Sequence, residues 1–537
     1  MSSGTDDRSH WLFALTAAVL IAMAALAGWR TTRDLTWGPY VDFDRDASFV
    51  NGILEGHYGE DPLYQGHSLW FTPLLFGIEA ALVKVTGLPV PVLQVRAGAL
   101  LNLLVPIAFL LMVRRYFGPW VALPALAFLL FFIPGQEPGW AVSTYSPWLL
   151  PVNFFQALFY LLLIQVHRAM RTLHFQDWGI AGAGAGILFL GHAAPTLVIV
   201  GLIAVLVLSG AATCLRQDQR PEAVRWILRG TLAGAAFIVF SLPLTWYVVG
   251  VYGLDQQNRV PSSFTYHILA WRNAGFFLFH NITWINAFGV AGLVLLVFGP
   301  VSLSRRIVLL VTGIAFFLMC YVYASVLLNE YCGVALPMAV PSFHFYLYLK
   351  GALAIGAGIA FQRLMQGLQH FAPTAGFTAQ GRNLVTALST LVATAVIYPA
   401  HAHRCDLDVV RLRCQQRMED VAATDMVAAI RQRLSWGGVV LCDEDLSMRI
   451  VMATARKTVA TNASMANPYV PPAPREAARD TLLAALRDAS IDPTSLLETY
   501  NVSHLLVRRS DLNALPELRK WFPLTVHTND RYVLFGR

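Results

Sequence analysis

WGPYVDFDRDASFVNGILEGHYGEDPLYQGHSLW, running from Trp37 to Trp70, is the stretch on which the reading of this chain turns. It follows one apolar run and precedes a long series of others, yet it holds Asp42, Asp44, Asp46, Glu55, Glu60 and Asp61. A chain that only has to turn back across a bilayer needs a few polar residues. Loops of this length in compact proteins are functional or disordered. Phe43, Phe49, Val50, Ile53, Leu54, Tyr58, Leu63 and Tyr64 give this one an apolar face of its own, which argues for order. The stretch reads as an ordered, acidic, outward-facing site at a membrane surface.

The rest of the composition requires that membrane. Of 537 residues 56% are hydrophobic and only 13% charged, with a mean hydropathy of +0.54, where a soluble domain has about 25% charged residues. The 39 Lys and Arg divide into 21 before His401 and 18 from His401 onward, and the 32 Asp and Glu divide evenly, so the tail has soluble composition and the first part does not. The net charge of +7 belongs to basic loops. No run of Lys and Arg interleaves with aromatics, which excludes a nucleic-acid surface. The six cysteines show no CxxC or zinc spacing. Cys405 and Cys414 are close enough in sequence to pair in an oxidising compartment or to remain free thiols.

Hydropathy windows predict about eleven spans: Trp11–Trp29, Leu93–Val113, Trp120–Ile133, Trp148–Val166, Gly179–Gly191, Thr196–Cys214, Trp226–Val249, Trp284–Val301, Ile307–Leu328, Phe345–Phe361 and Leu384–Pro399. The first run is longer than a signal-peptide core, so it reads as a retained helix although Ala25-Leu26-Ala27 resembles a cleavage site. Phe71 to Gly87 carries Glu79 and Lys84 and reads as a helix on or partly in the membrane. The small residues of Gly179–Gly191 suit close helix packing, and the segment breaks at His192-Ala193-Ala194-Pro195. Trp140, Trp148 and Trp284 are expected at the interface. Arg114, Arg115, Arg168, Arg171, Arg216, Arg220, Arg305 and Arg306 fall on one side, which places the N-terminus in the cytoplasm. An odd number of spans then puts the tail outside, with the acidic loop. The expected organisation is a transmembrane domain over 1–400, with its first outer loop at 31–70, and a periplasmic or extracellular α/β domain over 401–537. In that domain Val439–Leu441, Ser503–Val507, Leu524–His527 and Tyr532–Phe535 read as strands and Arg475–Ala489 as an amphipathic helix. Asp443-Glu444-Asp445, just past a strand end, is either a ligand site or a solvated turn.

The order of one helix, a long acidic outer loop, many spans and an outer soluble domain resembles the GT-C superfamily of lipid-linked glycosyltransferases. The likeness lies in DFDRDASFVNGILEGHYGEDPLY followed by WFTPLL, in VRAGALLNLL, and in Pro341-Ser342-Phe343-His344-Phe345. The matching positions are Asp44 and Asp46, Gly56, Pro73-Leu74, Arg96 and the Pro341 segment, where His344 replaces a frequent Arg. No WWD-type motif of oligosaccharyltransferases is present. The resemblance implies an integral inner-membrane enzyme that moves a sugar from a polyprenyl-phosphate donor to a glycan, lipid or protein acceptor at the outer face.

That reaction needs a base for the acceptor hydroxyl and positive charge for the departing phosphate. Asp44 and Asp46 are the candidate bases, and also the candidate ligands of a divalent cation such as Mg or Mn. On an extended chain they face one side; at a helix start Asp46 is equally an N-cap. Arg96 and Lys350, inside apolar runs, are expected to face a cavity or a partner, with snorkelling the alternative for Arg96. His344 and Tyr348, four apart, share a helix face. Glu330 and His57 complete the substrate-binding candidates, with His67 and His192 behind them. A transporter or flippase, or a non-catalytic envelope assembly protein, shares much of this pattern. The clustering of charge at the outer face, not the midplane, favours the enzyme.

Overall fold

The computed structural model describes residues 3–39, 41–132, 145–263, 284–371, 379–405 and 408–537. The chain folds as two compact units, a helical one of Met1–Arg33, Arg96–Leu242 and Thr265–Leu407, and a second of Asp34–Val95, Pro243–Phe264 and Asp408–Arg537.

Among the described residues six helices are long and apolar enough to cross a membrane: Ser9–Thr32, Val90–Phe117, Ala193–Arg216, Arg220–Val251, Leu303–Cys332 and Phe343–Leu368. Pro119–Phe132 and Asn286–Phe298 are shorter apolar helices. The other expected spans fall on helices Gln156–Thr172, Phe175–Gly191 and Ala379–Cys405. The chain is a multi-pass membrane protein.

Two buried side chains of this unit donate to backbone carbonyls, as an apolar solvent favours. The Val90–Phe117 span breaks after Leu101, and Asn102 donates its amide to the carbonyls of Ser146 at 2.8 Å and Trp148 at 2.7 Å. Tyr116 donates to the Leu163 carbonyl at 2.6 Å. Glycines let backbones meet. A Cβ on Gly182 would lie 2.1 Å from the Ala233 carbonyl oxygen, and one on Gly292 would lie 1.7 Å from that of Gly356. The small residues of the Phe175–Gly191 helix therefore serve packing. His192, which follows it, caps the next helix by accepting the Ala194 N–H on Nδ1. Trp148, expected at the interface, is wholly buried. Trp140 and the side chain of Trp284 lie outside the described residues. Arg115, Arg168 and Arg171, three of the one-sided basic residues, line a common hollow.

The second unit is built on a five-stranded mixed sheet in the order β2-β1-β3-β5-β4: β1 Val439–Leu441, β2 Lys457–Thr458, β3 Val502–Arg508, β4 Leu524–Thr528 and β5 Tyr532–Gly536. β1 is parallel to β2 and β3, and β5 is antiparallel to β3 and β4. Alternate residues feed opposite faces. Val439, Leu441, Leu505, Val507, Val533 and Phe535 pack on Leu482, Leu486 and Phe522. Val440, Leu506 and Leu534 pack on Met426, Ile430 and Ile450. Burial on both faces explains why these strands read as continuous apolar runs. The expected helix from Arg475 begins instead at Pro472 and ends at Ala485. Pro472 and Pro474 are tolerated in the first turn, where no N–H is needed.

The stretch from Trp37 to Trp70 lies in this second unit. Val41–Leu54 is a helix with Phe43, Ala47 and Val50 buried at helical spacing. Phe49 stacks on Phe71 and Phe76, with ring centroids 5.8 and 5.1 Å away. The return from Gly56 to Trp70 is held by Asp61. Its Oδ1 accepts the Leu63 N–H at 2.8 Å and its Oδ2 accepts the Asn467 amide at 2.8 Å. Leu63 and Tyr64 pack on Met452, Ala466 and Val470.

Candidate active site

Asp44 and Asp46 lie inside the Val41–Leu54 helix, not on an extended turn, and Asp46 is not its N-cap. Residues two apart on a helix project about 200° apart, so the two carboxylates leave the helix on opposite sides and have separate surroundings. Both are 1% exposed.

Asp44 Oδ1 accepts two hydrogen bonds, from Trp37 Nε1 at 3.1 Å and from Arg417 Nη2 at 2.7 Å. Asp46 Oδ1 accepts both Nε (2.9 Å) and Nη2 (2.7 Å) of Arg45, whose Nη1 reaches Asp42 at 2.8 Å. The Arg45 guanidinium is further held over the Phe71 ring at 4.4 Å. Among the described residues, Asp44 Oδ2 and Asp46 Oδ2 meet no hydrogen-bond partner although both are buried. Loss of water pushes the Asp44 carboxyl up from 3.8 to about 6, against the pull of Arg417 and Trp37. Burial likewise takes Asp46 to about 6, with Arg45 opposing and Asp42 adding to the rise. Glu79 is fully buried, accepts Gln94 Nε2 at 2.9 Å on one oxygen, and leaves the other without a partner among the described residues. Burial holds it well above the usual carboxylate range, and the charge of Asp46 adds to this. Each of these acids therefore has one anchored oxygen and one buried oxygen without a hydrogen-bond partner among the described residues.

His57 is half-exposed, bonds Glu60 at 3.1 Å, and stacks face to face on Trp436 at 4.4 Å. The other partners of Trp436 are Glu60, which accepts its Nε1 at 2.5 Å, and Lys457, whose Nζ sits 4.0 Å from the ring. Lys457 is buried, donates to the Asp61 carbonyl, and is lowered by desolvation to about 8. His67 meets Arg475 at 3.1 Å. These contacts fasten the acidic stretch within its unit, and the ring of Trp436 is used up by them.

Arg96, Glu330, His344, Tyr348 and Lys350 belong to the helical unit. Arg96 is half-buried on the Val90–Leu101 helix and Glu330 is exposed near the end of Leu303–Cys332. His344 stacks on His192 at 4.9 Å, which brings two of the histidine candidates together. Tyr348 packs on Phe159 at 4.6 Å and Lys350, 1% exposed, lies 5.0 Å from the Tyr346 ring. Asp443-Glu444-Asp445 is tied up by arginine: Arg508 bonds Asp443 and pairs with Asp445 at 2.5 Å, while Asp443 also caps the short helix that follows. Cys414 is a buried free thiol, and the side chain of Cys405 lies outside the described residues. No group of three His, Cys, Asp or Glu side chains suited to a metal ion is found among the described residues.

The sequence reading missed Arg417, Trp37 and Arg456. Arg456 bonds Glu55 at 2.8 Å together with the carbonyls of Leu434 and Arg431. Arg417 and Arg456 depend on partners remote in sequence, whereas Trp37 reaches Asp44 only seven residues on. Only the spacing of Phe43, Ala47 and Val50 offered a local sign, namely that the helix begins ahead of Asp46.

No family model and no curated protein matches the chain by sequence. Solved structures do match by fold. ArnT from Cupriavidus metallidurans bound to undecaprenyl phosphate superposes with a TM-score of 0.55 at 15% identity, covering 97% of each chain. The Archaeoglobus fulgidus oligosaccharyltransferase tethered to an acceptor peptide superposes with a TM-score of 0.52 at 13% identity, over 96% of this chain and 72% of that one. The same oligosaccharyltransferase in complex with Zn and sulfate gives 0.53 at 14% identity. Over almost its whole length the chain shares the fold of these solved structures.

Proposed function

We propose that this chain transfers a glycosyl group from a polyprenyl-phosphate donor to a cell-envelope glycan, lipid or protein acceptor at the outer face of the plasma membrane, with its N-terminus in the cytoplasm. The observation that carries this reading is Asp44: a buried carboxylate on the acidic stretch of a GT-C-like fold, with one oxygen fixed by two donors and the other without a hydrogen-bond partner among the described residues. The structures that share the fold were solved with undecaprenyl phosphate and with an acceptor peptide, which supports a lipid phosphate and an acceptor as the two substrates.

Asp44 Oδ2 takes the proton of the acceptor hydroxyl. The acceptor oxygen bonds to the anomeric carbon as its bond to the phosphate oxygen breaks, and the electron pair leaves with the polyprenyl phosphate. Arg96, His344, Tyr348 and Lys350 supply charge and hydrogen bonds for that phosphate, and Glu330 and His57 are the remaining substrate contacts. A carboxylate so placed contributes roughly 10²–10⁴-fold as a general base. Asp46, committed to Arg45 within the Asp42–Arg45–Asp46 cluster, is the second candidate. A Mg or Mn ion would be held by Asp44 or by Asp46, not by the pair, because they leave the helix on opposite sides. No step here is routed through it.

The test is transfer from a panel of radiolabelled polyprenyl-phosphate sugars by purified protein, with Asp44→Asn and Asp46→Asn beside it. Transfer by the wild type that is lost in Asp44→Asn supports the reading. Transfer unaffected by both substitutions places the base elsewhere. Movement of the lipid-linked sugar across proteoliposomes without any transfer would make the chain a transporter.

A further inference from the structure

The C-terminal domain reaches Asp44 by a route that the acidic stretch alone does not contain. Both hydrogen-bond donors to Asp44 Oδ1 are fixed by that domain. Arg417 stands on the Asp408–Glu419 helix, and the nitrogen it gives to Asp44 at 2.7 Å also donates to the Arg449 carbonyl at 2.9 Å. Its guanidinium carbon lies 5.3 Å from the Trp37 ring, within cation–π range. Trp37, the second donor, packs on the cluster formed by Met426, Ile430, Leu434 and Ile450. The same helix holds the approach to Asp44 at two more points: Arg411 pairs with Asp34 at 3.4 Å, and Met418 Sδ accepts the Thr36 N–H at 3.5 Å. Beyond Asp44, Asn51 donates to the Ala453 carbonyl at 3.1 Å and a Cβ on Gly52 would meet Trp436 at 2.8 Å, so the Val41–Leu54 helix is seated on the domain along its length.

Resting on the reading of Asp44 as the base, we propose that the Asp408–Glu419 helix is a positioning arm for catalysis, with Arg417 and Trp37 as positioning residues that clamp one oxygen of Asp44 so that the other is presented to the acceptor. Neither touches substrate; both act through Asp44. The charged groups around Asp44 are Asp42, Arg45 and Asp46 on its own helix, and Arg417 and Arg449 from the C-terminal domain. The Arg449 side chain is engaged with Asp445 at 2.6 Å. Arg417 is therefore the cation that pairs with Asp44. It holds the carboxyl below the value that burial alone would impose.

The experiment uses full-length protein in nanodiscs, with Arg417→Met, Arg417→Lys, Trp37→Phe, Asp44→Asn and the Asp44→Asn/Arg417→Met double variant. Loss of positioning is expected to lower kcat at pH 7 roughly 10²-fold in Arg417→Met, with the donor KM within about threefold of wild type. Loss of the cation moves the acid limb of the pH profile up by about 1–3 units, so the rate recovers towards pH 9. Arg417→Lys restores part of kcat and lowers the limb again, and the double variant is no slower than Asp44→Asn alone. An Arg417→Met limb where the wild type has it overturns the proposal, whatever the rate. Should Arg417→Met fail to fold, Trp37→Phe carries the test, and a wild-type kcat with an unmoved limb in that variant overturns it. A wild type that transfers while Asp44→Asn keeps full rate refutes the choice of base itself. A wild type that transfers from no donor removes both.

Discussion

The desolvation of Asp44 sets the shape of the pH profile. A carboxyl titrating at about 6 is about nine-tenths ionised at pH 7 and about one-tenth ionised at pH 5. At saturating donor, the transfer rate should fall about tenfold between those two values. A water-exposed aspartate with the ordinary value of 3.8 would lose less than about a tenth of its rate over the same range. Asp46, also at about 6, adds a diagnostic. If both carboxylates must be ionised, the fall steepens to about a hundredfold, and Asp46→Asn, which is never an anion, abolishes transfer at every pH. Unfolding at pH 5 does not imitate this loss. Both groups are raised in the folded state, so the stability linked to them is fully present below 3.8 and is lost as pH rises through about 6. The rise corresponds to about 3 kcal/mol for each carboxyl. The assay is initial-rate transfer from pH 5 to 8, with the thermal midpoint read at each pH. A flat profile alongside an inactive Asp44→Asn would refute the reasoning, because it would mean that water reaches the carboxylate.

Three other outcomes follow from the packing. Arg456→Ala strands two carbonyls, those of Leu434 and Arg431, and leaves Glu55 only its longer pairing with Arg431 at 3.9 Å. It should cost about 2–3 kcal/mol, since Glu55 is partly exposed, read as a lower thermal midpoint. Gly292→Leu, whose Cβ would sit 1.7 Å from the Gly356 carbonyl oxygen, should yield no folded protein, whereas Gly313→Leu, with open space around it, should purify normally by size-exclusion chromatography. Lys350→Met should raise the donor KM about 10–100-fold if the lysine holds the phosphate, without lowering the thermal midpoint. An unchanged KM with a lower midpoint would make it structural.

Much of this was legible in the chain because the signals were local. Val439–Leu441 and Tyr532–Phe535 are apolar runs buried on both faces, and the hairpin closing the sheet carries its own turn at Asn529-Asp530. β2 was not legible. Lys457-Thr458 has no apolar signal and is a strand only because β1 pairs with it and Lys457 finds the Asp61 carbonyl and the Trp436 ring. The acidic residues of the stretch stood out by composition, but their conformation did not. DFDRD alternates like an extended segment, while Phe43, Ala47 and Val50 keep helical spacing. Arg417 carried no sign at all: it stands on a polar helix 373 residues from Asp44. Long-range pairing of this kind leaves nothing in the local pattern to read.

The most direct measurement compares wild type and Asp44→Asn, in nanodiscs at pH 7.5, for two quantities at once: binding of a labelled polyprenyl-phosphate sugar and its transfer to an acceptor. The account predicts binding within about threefold of wild type and transfer reduced by roughly 10²–10⁴-fold. Wild-type transfer rates in Asp44→Asn, or a parallel loss of binding and transfer, would contradict Asp44 as the base.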